Sequence, residues 1–566
     1  MPVVAVPQAA DSFPSHLLPL FAALLAAVAL TVGWRAGAAP PWLERWWWRA
    51  RRLGADRGAL LVAGLAAALV GASFLALGPP VPRVSDELSY LLSADTFLHG
   101  RLTNLPPPAG GHFTGDNVLD EPTRSSRYPP AQGLLLAAGR WLIGGAWGGL
   151  ILSAAAVAAA TVWMLRPWVA APWPLVGGLL VALGPAFGSY WSQSYWGGHV
   201  AAVGSLLLVG AVGRLRRRAG LASGLALGTG LGLLAASRPW EGLAAGLGVA
   251  IWLGLHVARG PRQGRASFAL RCAPPTLLAL APWLVLLAAH DHAVTGDPWT
   301  MPHTLYLATR GGLPELRFQE PSAEQIARSG ALDVDRRWFD PASAVGRMGR
   351  LIYHQAGLPL AAVALGGAAC ALRRRRARPA SSAWRAWALP VLGLLAVGAA
   401  HGFTRSYFPH YSSPSFGFLW VLAIGGARRL GPGARAGAAL VLTLAGGQLL
   451  YSLAELPAHR PDRHDWSRER LRIERELRQA GGEHLVFVAA PGDWVHNGAD
   501  LAGSPVLWAN ALGPERDAPL LSAFPGRAVW RVDGYDSSGP FHPEAYLATA
   551  TRATALVSPR PAPAGW

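Results

Sequence analysis

Uninterrupted apolar blocks of 17 to 23 residues, almost free of charge, recur along this chain and restrict what it can fold into. A helix of that length crosses a hydrocarbon core of ~30 Å. In lipid, every backbone N–H and C=O must find its partner inside the segment, so helices are the expected solution. The balance of residue types agrees: 52% of the 566 residues are hydrophobic and only 14% are charged, against roughly a quarter charged in soluble proteins. Twelve spans are expected, at about 16–34, 58–80, 147–165, 173–190, 198–214, 220–237, 242–258, 273–290, 350–372, 386–403, 412–427 and 435–453.

The formal charge of +18 comes entirely from Arg, since the chain has no Lys. Those Arg residues cluster in short loops between spans: Arg45 to Arg57, Arg214 to Arg218, Arg259 to Arg271, Arg373 to Arg378, and Arg428 to Arg435. Such grouping fits cytoplasmic loops under the positive-inside rule and speaks against nucleic-acid binding. With both termini outside, twelve spans satisfy every loop. Residues 131–143 are too short to cross and suit a helix lying in the outer interface. The first residues lack a basic stretch, so a retained span rather than a cleaved signal is expected. Cys272 and Cys370 suggest neither a disulfide framework nor a metal cluster.

Three outside segments are long enough to carry function: 81–130, 291–349 and the tail after about 456. In the tail, 466–480 has helical charge and apolar spacing, while 484–489, 505–509 and 527–532 are β-type runs between turn residues. A small α/β domain is expected there. Its run Trp494 to Asp500 reads either as a ligand loop or as a surface turn.

The first outside segment opens with Asp86, Glu87 and Tyr90 directly after a span. On a helix Asp86 and Tyr90 share a face, and a carboxylate there suits a general base. It equally suits a solvated helix start, complementing the dipole. Arg127 and Tyr128 precede Pro129-Pro130; a guanidinium at headgroup level pairs well with phosphate, or snorkels. The aromatic turn 189–199 ends in His199, which reads as a sugar or phosphate contact or as a structural histidine. Arg238 and Glu241 occupy a short turn at the rim of the bundle, where an ionisable pair is a functional candidate. Arg405, His410 and Tyr411 share a further outside turn. No Walker loop or dinucleotide fingerprint is present.

An outside Asp-Glu-x-x-Tyr after an early span, a polar loop, and a basic or aromatic residue before Pro-Pro and a short amphipathic helix resembles the GT-C glycosyltransferases. The branch is that of protein O-mannosyltransferases and lipid A aminoarabinose transferases, and the resemblance covers residues 58–290. It implies an α-helical polytopic membrane fold of about twelve helices with a small C-terminal α/β periplasmic domain. The divisions are then 1–57, an extra helix and basic loop; 58–290, the GT-C-like module with first outside loop 81–146; 291–349, an outside loop; 350–455, further spans; and 456–566, the tail domain. The resemblance implies transfer of a sugar from a polyprenyl-phosphate donor to a glycan, lipid or protein acceptor, in a bacterial inner membrane with the active site facing outward. Asp86 takes the place of the base with Glu87 beside it, and Arg127 that of the phosphate contact. Tyr90, Tyr128, His199, Arg238, Glu241, Arg405, His410 and Tyr411 are further candidates. The turn 189–199 lacks the acidic residue that members often carry there, and Glu241 is a candidate replacement. Some GT-C enzymes need a divalent cation; no convincing ligand cluster is visible. A transporter or flippase of a lipid-linked or small polar substrate is the alternative, although its ionisable residues belong near the midplane. A non-catalytic envelope scaffold is a third reading.

Overall fold

The structure, a computed structural model, describes residues 41–259, 261–310, 312–329, 337–352, 354–355, 383–431, 433–460, 465–489, 493–533 and 544–546. The chain forms two compact units, residues 1–80 with 128–460 and residues 81–127 with 461–566.

The first unit is helical. Among the described residues, five helical segments are long and apolar enough to cross a membrane: Asp56–Leu77, Trp147–Leu165, Pro239–Arg259, Gly264–Thr295 and Ala434–His459. This makes the chain a multi-pass membrane protein. Trp173–Leu183, His199–Leu215, Leu221–Ala235 and the apolar part of Ala383–Gly402 are shorter. Trp173–Leu183, for example, stops at Gly184-Pro185, where the proline disfavours helical geometry in the residue before it. The expected span 16–34 and most of 350–372 lie outside the described residues.

Small residues let these helices approach at backbone distance. A Cβ on Gly139 would fall 1.8 Å from the Gly149 nitrogen, and one on Gly228 would fall 2.1 Å from the Thr276 carbonyl. The short helix Pro130–Ile143 therefore packs tightly on Trp147–Leu165, burying Leu136 while Trp141 and Leu142 stay exposed. The Arg-rich loops gather at one end of the unit. Arg166 meets Asp56 at 2.6 Å, Arg214 lies 3.7 Å from the Trp163 ring centre, and Arg435 pairs with Glu44 at 2.9 Å. The turns 184–198, 236–241 and 401–411 lie at the other end of these helices.

The second unit is built on a four-stranded sheet in the order β4-β3-β5-β6. Strands β3 (His484–Ala489), β4 (Val506–Asn510) and β5 (Ala528–Asp533) are parallel, and β6 (Glu544–Ala545) runs antiparallel to β5. A central parallel strand is covered on both faces and so is apolar throughout. Val486 and Val488 pack with Ile473 and Leu477 of helix Trp466–Ala480. Leu485 and Phe487 face Leu520 of helix Pro514–Ala523 and, with it, Phe113. Phe113 comes from the first outside segment, so that segment completes the sheet's second face. In sequence order 81–146 reads as part of the module 58–290 and the tail as separate. The contacts divide the chain otherwise, joining 81–127 to the tail, because the apolar face of a sheet must be covered and Phe113 covers it.

Candidate active site

Within the second unit, helix Ser85–Leu98 starts after extended Val84 and presents Asp86 and Glu87 in its first turn. The two carboxylates have separate surroundings. Glu87 is buried and accepts the Arg83 backbone N–H at 3.1 Å, tying the helix start back to the residue before its N-cap. Asp86 is half-buried. Facing the same helix start is Asp493, whose carboxylate receives hydrogen bonds from the Ser85 N–H and hydroxyl. Burial, and then the nearby charges of Asp116 and Asp86, push Asp493 up to about 6 despite those bonds. Tyr90, one turn beyond Asp86, is buried. The helix is held from below by Ser89, whose hydroxyl donates to the Asn117 carbonyl at 2.6 Å and lies 2.7 Å from the Ser126 hydroxyl. Asn117 in turn donates to Ser85 Oγ at 2.8 Å.

The far end of the helix is braced by the tail. Asp95 accepts the Ala499 N–H at 2.6 Å, and Arg124 donates to the carbonyls of Gly498 (2.7 Å) and Asn497 (2.8 Å). Burial lowers the Arg124 guanidinium to about 10, against the pull of Asp120 and Asp95. Asn497 is locked to the sheet by its own amide, which bonds both the N–H and the carbonyl of Trp508. The run Trp494 to Asp500 thus serves as a brace. Arg127 is half-buried, and its backbone N–H donates to the Asn117 carbonyl at 3.3 Å.

Within the first unit, turns far apart in the chain bring several candidates together. The Arg238 guanidinium lies 4.4 Å from the Tyr411 ring centre, a cation–π contact. The rings of His410 and Tyr411 meet edge-on at 4.9 Å. His410 Nδ1 is 2.9 Å from the Tyr190 hydroxyl, while its Nε2 is buried with no protein partner. Burial, with Arg238 nearby, holds His410 well below its ordinary range and therefore neutral. Glu241 is buried within electrostatic reach of Arg238 and Glu315.

Other candidates stand apart from this group or do structural work. Arg405 is knitted into a loop pairing: its N–H donates to the Glu315 carbonyl at 2.8 Å, and its guanidinium reaches the Arg317 carbonyl at 3.5 Å. Arg347 clamps the same turn through His401, Thr404 and the Arg405 carbonyl. His199 is enclosed, with Nε2 donating to the Pro185 carbonyl at 3.1 Å and Nδ1 3.0 Å from the Ser153 hydroxyl. Tyr128 is buried. Sequence reasoning passed over Asp493, Asp116 and Arg347 as site residues, since each acts through partners remote in the chain. Among the described residues no group of three or more His, Cys, Asp or Glu is placed to hold a metal ion.

No protein-family model and no curated protein matches the chain. Solved structures do. Crystal structures of ArnT from Cupriavidus metallidurans, in the apo state and bound to undecaprenyl phosphate, superpose with TM-scores of 0.52 and 0.53 at 15% and 14% identity. Each likeness covers 84% of this chain and 93% of the other. The fold is that of these ArnT structures. A weaker likeness, TM-score 0.47 at 11% identity, covers 76% of this chain and 62% of the Archaeoglobus fulgidus oligosaccharyltransferase in its apo form.

Proposed function

We propose that this chain is an inverting membrane glycosyltransferase. It takes a sugar from a polyprenyl-phosphate donor and passes it to a glycan, lipid or protein acceptor on the periplasmic or outer face of a bacterial inner membrane. The observation that carries the reading is the fold across 84% of the chain, shared with a protein crystallised with undecaprenyl phosphate.

In this reading Asp86 accepts the proton of the attacking hydroxyl. The new bond forms between that oxygen and the anomeric carbon as the bond from that carbon to the phosphate oxygen breaks, and the polyprenyl phosphate leaves. Positive charge stabilises the departing phosphate. Arg238 is the guanidinium assigned to it, with Glu241 and Tyr411 orienting the guanidinium. The unpartnered Nε2 of His410 supports a polar ligand beside that group, because a buried nitrogen without a partner is costly. Glu87 is assigned to holding the helix start, and Tyr90, Tyr128, Arg127, Arg405 and His199 to shaping the surroundings.

The test is Asp86→Asn in the full chain, assayed for transfer from isotope-labelled polyprenyl-phosphate sugars to envelope acceptors. Loss of a general base lowers the rate by roughly 10²–10⁴-fold, with the melting temperature unchanged. Transfer at the parental rate rejects Asp86 as the base. Movement of labelled lipid across vesicles without a new glycosidic bond points to the transport alternative.

A further inference from the structure

Helix Pro41–Arg52, with the sequence PWLERWWWRARR, joins the Arg-rich end of the first unit. One face anchors it. Trp47 is 6% exposed, meets the Trp173 ring edge-on at 5.4 Å, and fills the space where a Cβ on Gly437 would fall 2.5 Å away. Glu44 fixes the helix a second time, through Arg435 at 2.9 Å. Among the described residues the opposite face has no such partners. Trp42, Trp46 and Trp48 are 50%, 37% and 40% exposed, and Arg45, Arg49 and Arg52 are exposed as well.

Helical geometry gives that face an order. Arg45, Arg49 and Arg52 fall at i, i+4 and i+7, one stripe roughly 10 Å long. Trp42 and Trp46 border the stripe on one side and Trp48 on the other, with Arg51 set 5.1 Å from the Trp48 ring. Exposed indoles cost free energy in water but are at home between acyl chains and headgroups, where ring and N–H are both satisfied. Guanidinium groups at the same depth pair with phosphate oxygens. Arg57 and Arg214, the latter over the Trp163 ring, extend positive potential around the same end.

We propose that helix Pro41–Arg52 is a docking surface for anionic phospholipid headgroups, its Arg45–Arg49–Arg52 stripe taking the phosphates and its exposed tryptophans seating beside them. Charge complementarity selects this occupant. A zwitterionic headgroup offers the stripe a phosphate together with a cation that opposes it, whereas an anionic one offers net negative charge. The inference stands apart from the proposed chemistry.

The test uses the full chain in neutral detergent, titrated with phosphatidylglycerol or phosphatidylcholine and read by native mass spectrometry of bound lipid. The parent retains phosphatidylglycerol in clear preference. Arg45→Gln/Arg49→Gln/Arg52→Gln loses that preference by roughly a hundredfold, at about fivefold per charge. The corresponding triple Lys variant keeps it to within a few-fold, as does Arg475→Gln on an exposed site of the tail. A parent without preference, or a Gln variant as selective as the parent, overturns the proposal. So does equal loss in the Lys variant, or displacement of phosphatidylglycerol by millimolar inorganic phosphate, which would mark a site for free anions.

Discussion

Asp493 holds its proton more tightly in the folded chain than an unfolded carboxyl does, at about 6 against ~3.9. The folded state therefore binds the extra proton between those two values, and stability falls as pH rises through that window and stays lower above it. Asp493→Asn removes the penalty. Thermal melts of the variant and the parent should coincide near pH 4 and diverge above pH 6, the variant being the more stable by on the order of 2 kcal/mol. Equal melting at pH 7.5 would show that Asp493 is hydrated as well when folded as when unfolded. At this scale the sequence exposed the Asp86–Glu87 pair but not its division of labour. Which carboxylate ties the helix back to the chain before it depends on one hydrogen bond, from Arg83 to Glu87. Asp493 carried no local signal, because the charges of Asp116 and Asp86 that add to the effect of its burial lie far away in the chain.

Among the elements, glycine placement separates packed helices from lipid-facing ones. Gly139→Leu forces a side chain into the Gly149 backbone, 1.8 Å from where its Cβ would fall. It should lower stability by about 3 kcal/mol or more, in excess of ordinary overpacking, because backbone cannot repack as side chains do. Gly64→Ala, in helix Ala55–Leu77 with nothing within 4 Å of its Cβ position, should instead be neutral or gain up to ~1 kcal/mol from helix propensity. Detergent melts of the two variants check the contrast. Helices were the most legible part of the chain, since block length and apolarity report them directly. Their ends were less so: the expected span 173–190 is a helix only over Trp173–Leu183, and 273–290 sits inside the longer Arg262–Thr295. Prolines 274, 275 and 282 lie within that longer helix without ending it, which membrane helices tolerate when neighbouring groups satisfy the freed carbonyls.

At the scale of the molecule, the union of 81–127 with the tail was beyond what the sequence could reveal. Local patterns found the tail's helix and β-type runs, but nothing in them says that Phe113 covers the sheet or that Arg124 reaches Asn497 and Gly498. Arg124→Met strips two hydrogen bonds from the brace and leaves buried carbonyls without a donor, a loss of roughly 1–3 kcal/mol. Trypsin should then cut at Arg101 about tenfold faster in the variant; an unchanged cleavage rate would mean that the brace contributes nothing to holding the segment. The bond between Asp95 and Ala499 spans 404 positions of chain. During synthesis, helix Ser85–Leu98 therefore leaves the ribosome long before the strands that steady it exist. A chain released anywhere short of the β-sheet lacks the Ala499 partner of Asp95, and the fold thereby ties the order of that helix to synthesis having passed the strands.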